Sequence, residues 1–177
     1  MAATPTVVTA PVKRFLGGYP ASVLAQVQQL VDEKRLGEHL TRQYPARHTL
    51  QTDSALHDYV QGLKQAHLRS SPPLHKVLWQ NKMDVMQNVL GLHTSISRVQ
   101  GSRLKAKAEI RIASLFKAEA PEFLEMVVVH ELAHLREQAH NKAFYQLCEH
   151  LLPGYHQIEF DLRLLMLQRE LSTTTQG

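Results

Sequence analysis

An α+β fold is what this 177-residue sequence predicts, and three observations lead to it. Apolar residues recur at helical spacing in two N-terminal segments. Charged and apolar residues alternate strictly over 103–112, as in a strand with one face on the core. The mostly apolar run 122–135 has the composition of a buried helix. We therefore expect N-terminal helices, a small β-sheet, a buried helix and two C-terminal helices.

The N-terminal part is predicted to be helical after a short tail. Residues 1–14 are rich in Thr, Pro and Ala, so we expect a flexible tail there. The segment 20–37 has helical spacing of its apolar residues, namely Val23, Leu24, Val27, Leu30 and Val31. From Gly37 through Pro45 the pattern loosens into a connector.

A second amphipathic helix and a strand are expected next. Residues 54–68 again show helical periodicity, and Pro72 and Pro73 then break the chain. A β region opens at Val77 and ends with the alternating strand 103–112. Whether this last strand is an edge strand, able to hold an extended substrate, stays open.

Positive charge is concentrated around this strand. Glu109 alone opposes five basic residues, which are Arg98, Arg103, Lys105, Lys107 and Arg111. Such a row of cations suits a phosphate-bearing partner, and the net charge of +4 agrees with that. The alternative is a solvated strand face that discourages aggregation. No aromatic residues are interleaved with these cations, so dedicated nucleic-acid stacking is not favoured.

The buried helix carries an H-E-x-x-H motif. His130 and His134 are four residues apart, so one face of a helix directs both imidazoles at a single ion. Glu131 lies beside them, where a carboxylate can act on water as a general base. Zinc is the expected ion, because it binds imidazole readily and its catalytic sites use three protein ligands.

His140 is the predicted third ligand. In a continuous helix it would lie about 15 Å along the axis from His130. The chain must therefore leave the helix between His134 and His140. Asn141 supports this, because Asn is a favoured N-cap and the residues after it have a helical composition.

Several residues after the third ligand are candidates for supporting roles. A second electrophile opposite the metal could come from Tyr145, Tyr155 or His156. Glu149 or His150 could hold a ligand imidazole by its other nitrogen. The single cysteine, Cys148, is interpreted as a small buried hydrophobic residue.

The ligand spacing also occurs in metzincins. Those enzymes have glycine where this chain has Glu137, and they have a methionine turn downstream. Met166 lies instead in an apolar run that reads as helix. The metzincin interpretation is therefore not favoured.

A broader resemblance spans residues 15–170. The chain resembles the YgjP-like family of bacterial metal-dependent hydrolases through these segments: 16–20 LGGYP, 72–77 PPLHKV, 97–111 SRVQGSRLKAKAEIR, 127–135 VVVHELAHL, 140–148 HNKAFYQLC and 155–164 YHQIEFDLRL. The resemblance implies a minimal zincin-like domain similar to SprT-type and WLM-type peptidases. It also implies zinc on His130, His134 and His140, with Glu131 as the catalytic carboxylate. Many relatives have Trp-Gly-Ser-Cys where this chain has VQGSR, so roles of that Trp or Cys do not transfer.

Composition suggests the setting. The length suits one domain, expected over 15–170 with a second flexible tail at 171–177. One cysteine permits no internal disulfide, which fits a cytoplasmic location. Neither a signal peptide nor an apolar run of membrane-spanning length is seen, so no membrane partner is expected.

Three functional hypotheses remain open. Peptide hydrolysis ranks first, because H-E-x-x-H with a helix-borne glutamate suits it. The resemblance adds hydrolysis of a nucleoside triphosphate of the UTP type, a label that some family members carry. A nucleic-acid or protein binding module with structural zinc ranks last, because a structural site has no use for Glu131. The expected partner is thus a peptide, protein or nucleotide substrate.

Overall fold

In a computed structural model of the protein, the described residues are 6–90 and 108–175, and they belong to two compact units. The first unit is formed by the chain up to Pro45 and again from Glu159 onward. The second unit is Ala46–Ile158. The prediction of one domain over 15–170 stays a prediction.

Helices make up the first unit. They are α1 (Ala10–Leu16), α2 (Ala21–Asp32), α3 (Leu36–Gln43) and the greater part of α8 (Tyr155–Thr174). Val12, Phe15 and Leu162 are among the buried side chains. The sequence-based helix over 20–37 is confirmed as α2, although α2 ends earlier than predicted.

Helix α1 corrects the predicted tail over residues 1–14. It begins at Ala10, and Val12 is fully buried. Just before it, the backbone N–H of Thr9 donates to the side-chain oxygen of buried Gln28 (2.9 Å). Composition alone suggested a flexible tail, whereas burial of Val12 and this hydrogen bond, which joins residues 19 positions apart, stabilise a helix.

Helix α3 corrects the predicted connector from Gly37. Lys34 has a positive φ of 56°, and the N–H of Arg35 donates to the Leu30 carbonyl (2.8 Å), which ends α2 in a Schellman motif. A new helix then begins at Leu36, and it buries Leu36 and Leu40, one turn apart. Two apolar residues in eight were too few to show helical periodicity in the sequence.

The last helix extends into the second predicted tail, 171–177. Helix α8 ends at Thr174. Its exposed hydroxyl groups donate back to carbonyls of the preceding turn, as Ser172 does to Gln168 (2.9 Å) and Thr174 to Glu170 (2.9 Å). Residues 171–174 are therefore helical although they bury little surface.

The second unit contains the sheet and the motif helix. Its elements are α4 (Asp53–His67), β1 (Leu74–Gln80), α5 (Val85–Asn88), β2 (Ala108–Ala113), a 3₁₀ turn (Ser114–Ala118), α6 (Pro121–Ala133), α7 (Lys142–Leu151) and the first turn of α8. The helix predicted over 54–68 is confirmed as α4, which Thr52 caps by accepting from the Ala55 N–H (3.1 Å).

Strands β1 and β2 pair in parallel within the described residues. Val77 lies opposite Ile110 and Trp79 opposite Ile112, and all four side chains are buried. Glu109 and Arg111 alternate with the two isoleucines and are more exposed, as period two requires. The strand predicted over 103–112 is confirmed from Ala108. Its earlier part, with Arg103, Lys105 and Lys107, and also Arg98, lies outside the described residues.

Helix α6 is buried along nearly its whole length, as its composition predicted. Pro121 occupies the first turn, where a missing N–H costs little. The fold is therefore α+β, with N-terminal helices, a small sheet, the H-E-x-x-H helix and two C-terminal helices. Among residues 6–90 and 108–175, none of the helices has the length and apolarity that a membrane crossing requires.

Candidate metal centre

Helix α6 places the first two imidazoles. His130 lies in its last turn and is fully buried, while His134 is its C-cap and is half-buried. The N–H of His134 donates to the His130 carbonyl (3.3 Å), so the two side chains stand one turn apart on the same face.

The chain leaves the helix directly after His134, as predicted. The N–H of Glu137 donates to the Ala133 carbonyl (2.9 Å) in a tight turn. Asn141 then caps α7, because its side-chain oxygen accepts from the Phe144 N–H (2.9 Å). His140 therefore stands immediately before a helix start. The turn is made without glycine at position 137.

The three imidazoles converge on one point. The Nε2 atoms of His130 and His134 are 3.2 Å apart, those of His134 and His140 are 3.0 Å apart, and those of His130 and His140 are 3.2 Å apart. Ligand atoms of a tetrahedral zinc site lie about 3.3 Å apart, because zinc–imidazole bonds are about 2.0 Å long. The triangle thus fits three corners of such a site.

The second nitrogen of two of these rings is held by a hydrogen bond. Nδ1 of His130 lies 2.9 Å from the hydroxyl of Tyr155, which is fully buried. Nδ1 of His134 lies 3.0 Å from the Glu137 carbonyl, which can only accept. His134 therefore carries its proton on Nδ1 and keeps the Nε2 lone pair for the shared point.

The electrostatics of the site favour neutral imidazoles. Burial lowers the pKa of His130 well below its usual value, and the nearby His134 and His140 lower it further. Burial also lowers the pKa of His134 and that of His140. A neutral imidazole has a lone pair to offer, so the three side chains are ready to bind a metal at neutral pH.

Phe144 forms an aromatic wall against the three rings. Its ring centroid lies 5.0 Å from that of His130, 4.5 Å from that of His134 and 4.9 Å from that of His140. It is fully buried, so it excludes water from one side of the imidazoles. Sequence reasoning missed this residue, because its contacts with the three rings depend on how α7 packs against α6.

Glu131 follows His130 on α6 and lines a small cavity. Arg111 of β2 also borders this cavity. The remaining lining residues are apolar, namely Met83, Val89, Ile112, Ala113, Phe116 and Val127. A carboxylate that directly follows His130 in the chain and lines a largely apolar cavity can take up and return a proton.

The supporting roles predicted from sequence are partly corrected. The Tyr155 hydroxyl contacts Nδ1 of His130, the ring nitrogen that does not face the other two imidazoles. It therefore holds a candidate metal ligand and does not face a substrate oxyanion. Glu149 accepts from the N–H groups of Gly154 (3.0 Å) and His156 (2.9 Å) and so caps a turn instead of holding an imidazole. Cys148 is buried, as predicted.

Of the other candidates, Tyr145 lies near the third imidazole, and His156 lies next to Tyr145. The Tyr145 ring lies 6.3 Å from the His140 ring and 5.6 Å from that of His156. Within the described residues, the group able to hold a metal ion consists of His130, His134 and His140.

A family model described as YgjP-like, metallopeptidase domain, matches residues 21–165. The chain belongs to the YgjP-like family. This YgjP-like chain is also 55% identical over 157 residues to a protein of Escherichia coli (strain K12) named UTP pyrophosphatase. That match covers 89% of this chain and 94% of the relative.

The YgjP-like resemblance predicted from the sequence is therefore confirmed. No solved structure matches the chain significantly. The family description and the relative's name both refer to hydrolytic enzymes. Together with the three-histidine group, they support a hydrolase whose site is compatible with a metal ion.

Proposed function

We propose that this chain is a zinc-dependent hydrolase that cleaves UTP to UMP and pyrophosphate. The observation that carries the proposal is the 55% sequence identity to a relative named UTP pyrophosphatase, of which the match covers 94%. Peptide hydrolysis ranked first on the motif alone, and the relative reverses that order. A nucleotide substrate also fits the predicted cytoplasmic location.

Zinc is the proposed ion, held by His130, His134 and His140. Three neutral imidazoles with nitrogens 3.0–3.2 Å apart are the donor set and spacing that zinc prefers. When bound, zinc supplies Lewis acidity and makes water more acidic. A catalytic role is favoured over a structural one, because a structural site is usually closed by a fourth protein ligand.

Glu131 is the proposed general base. In the reaction a water oxygen bonds to the α-phosphorus and the bond from that phosphorus to the bridging oxygen breaks. Glu131 takes the water proton and can pass it to the leaving pyrophosphate. Its place directly after His130 on the largely buried helix α6 supports this role.

Arg111 is the proposed contact for substrate phosphate. It borders the cavity that Glu131 also lines. Its guanidinium donates to Glu109 (2.7 Å) and to the side-chain oxygen of Gln80 (3.1 Å), which orient it on the sheet. A guanidinium matches phosphate geometry well, and an arginine on this wall supports a triphosphate better than a neutral peptide.

The test compares wild type with Glu131→Gln and with the matched variant Glu125→Gln, which changes the same residue type on α6 away from the ligands. Each protein is stripped of metal, reloaded with zinc and given UTP, CTP, ATP or dUTP in ¹⁸O-labelled water. We expect UMP and pyrophosphate, with the label in UMP. Glu131→Gln should lower kcat by about 10²- to 10⁴-fold and retain zinc. UTP cleavage that survives Glu131→Gln would exclude this site.

Peptide hydrolysis is the second candidate. Within the part of the chain that the structure describes, β1 pairs with one edge of β2, and the other edge of β2 is the proposed place where the backbone of an extended peptide would bind. The same three proteins, incubated with a peptide library and read by mass spectrometry, distinguish the two chemistries. Glu131-dependent peptide cleavage without UTP cleavage would favour the second candidate.

A further inference from the structure

Tyr155 contacts the nitrogen of His130 that does not face the point shared by the three imidazoles. It is the first residue of α8, its side chain is fully buried, and its hydroxyl lies 2.9 Å from Nδ1 of His130. His130 is the most deeply buried of the three imidazoles. The polar end of Tyr155 therefore meets the ligand candidate that is farthest from solvent.

The direction of this hydrogen bond decides what His130 can do. If Nδ1 carries the proton and donates to the Tyr155 hydroxyl, the lone pair of Nε2 is directed at the point shared with His134 and His140. If the hydroxyl donates instead, Nε2 carries the proton and cannot bind an ion. Metal binding therefore requires Tyr155 to act as the acceptor.

The backbone around Tyr155 is itself held in place. Gly154 has a φ of +87°, a conformation that residues with a Cβ rarely adopt. The Glu149 carboxylate accepts from the N–H groups of Gly154 (3.0 Å) and His156 (2.9 Å), which flank Tyr155. The turn between α7 and α8 thus fixes where the hydroxyl can reach.

We propose that Tyr155 is a positioning residue of the metal centre, which orients His130 and keeps its proton on Nδ1, and that Glu149 supports it by fixing the turn. The inference rests on metal binding by the three histidines and is independent of the substrate. His134 receives the same support from the Glu137 carbonyl, which no side-chain substitution removes. Tyr155 is the support that mutation can test.

The experiment measures zinc affinity by chelator competition, without substrate, in wild type and in Tyr155→Phe. Phe keeps the buried ring and removes the hydroxyl that accepts from His130. Loss of such a supporting hydrogen bond weakens metal binding by about 10- to 100-fold. Tyr59→Phe is the matched control, because it makes the same change at a half-buried tyrosine of α4, a helix that carries none of the three histidines, and its zinc affinity should equal that of wild type. Equal affinities for Tyr155→Phe and wild type would overturn the proposal.

A second measurement needs no variant. In zinc-loaded wild type, nitrogen-15 NMR should show the His130 side chain protonated on Nδ1, with a proton that exchanges slowly with water. An unprotonated Nδ1, or exchange as fast as in an exposed histidine, contradicts the proposal.

Glu149→Gln tests the support of the turn. It should weaken zinc binding less than Tyr155→Phe does, and an effect larger than that of Tyr155→Phe contradicts the proposal. If the protein does not cleave UTP, the zinc-affinity and NMR results still test the role of Tyr155, because neither measurement uses substrate. If wild type does not bind zinc, the proposed metal centre is wrong, and the role of Tyr155 with it.

Discussion

The two sides of the candidate metal centre are built differently. On one side, the mostly apolar helix α6 holds His130 in the core. On the other side, His140 is exposed and stands on a turn just before α7. The buried side is placed by packing of a helix, whereas the exposed side is placed by a local cap.

The difference in burial gives His130 and His140 different roles in the candidate metal centre. Burial strips water from His130 and holds its pKa well below the usual range, so the imidazole is a neutral ligand before any ion arrives. His140 is less buried and keeps a path to solvent, which suits entry of an ion and of substrate. We infer that the affinity for the metal ion depends more on buried His130 and that access of the ion and of substrate depends on exposed His140.

The largest expected effect comes from removing the buried imidazole, and the test compares it with removal of the exposed one. In metal-free protein, His130→Ala should lower the free energy of unfolding by about 3 kcal/mol, because it opens a core cavity and removes the hydrogen bond between the imidazole and the Tyr155 hydroxyl. His140→Ala should change it by less than about 0.5 kcal/mol, as at other exposed positions. Urea unfolding in the presence of chelator measures both. Equal losses would show that the two sides do not differ in this way.

The cap of α7 offers a smaller and more local test. Asn141→Ala should cost about 1 kcal/mol of stability, since the Phe144 N–H loses its acceptor. It should also weaken zinc binding, because His140 precedes the cap directly. Thr52→Ala removes an equivalent cap from α4 and should cost a similar amount while leaving zinc binding unchanged. Calorimetry of both variants with zinc measures the effect, and identical zinc affinities would contradict the role of the cap.

The smallest expected effect concerns pH. The N–H of His156, followed in effect by that of Gly154, lowers the pKa of Glu149. A carboxyl whose pKa is lower in the folded state contributes stability above its unfolded pKa and loses it as pH falls through the folded value. Glu149→Gln should therefore destabilise the protein more at pH 7 than at pH 3. Unfolding curves at the two pH values measure this, and a difference that grows toward pH 3 has the wrong sign.

Several features of the site could be predicted because they depend on local spacing. The four-residue separation of His130 and His134 places both imidazoles on one face if the segment is helical. The long, mostly apolar run around them predicted that helix. The break before His140 could be deduced from geometry, since a continuous helix would carry it too far away. Asn141 was recognisable as an N-cap from its residue type and from the helical composition of residues 142–149.

Features that depend on distant contacts were missed or misjudged. The helix at Ala10–Leu16 depends on contacts such as the one between Thr9 and Gln28, which composition does not reveal. Helix α3 has too few apolar residues to show a period. Tyr155 was named as a candidate, yet its role depends on which atom it faces.

By itself, the sequence determined the three candidate ligands, the glutamate that follows the first of them and the point where the helix must end, because these depend on covalent spacing and helix geometry. The tertiary structure alone decided that Tyr155 and Phe144 meet the imidazoles. Tyr155 and His130 are 25 residues apart, and only packing of α6 and α7 together with the turn into α8 brings their polar atoms to 2.9 Å. Contacts of that kind depend on the whole core, and residue spacing does not encode them.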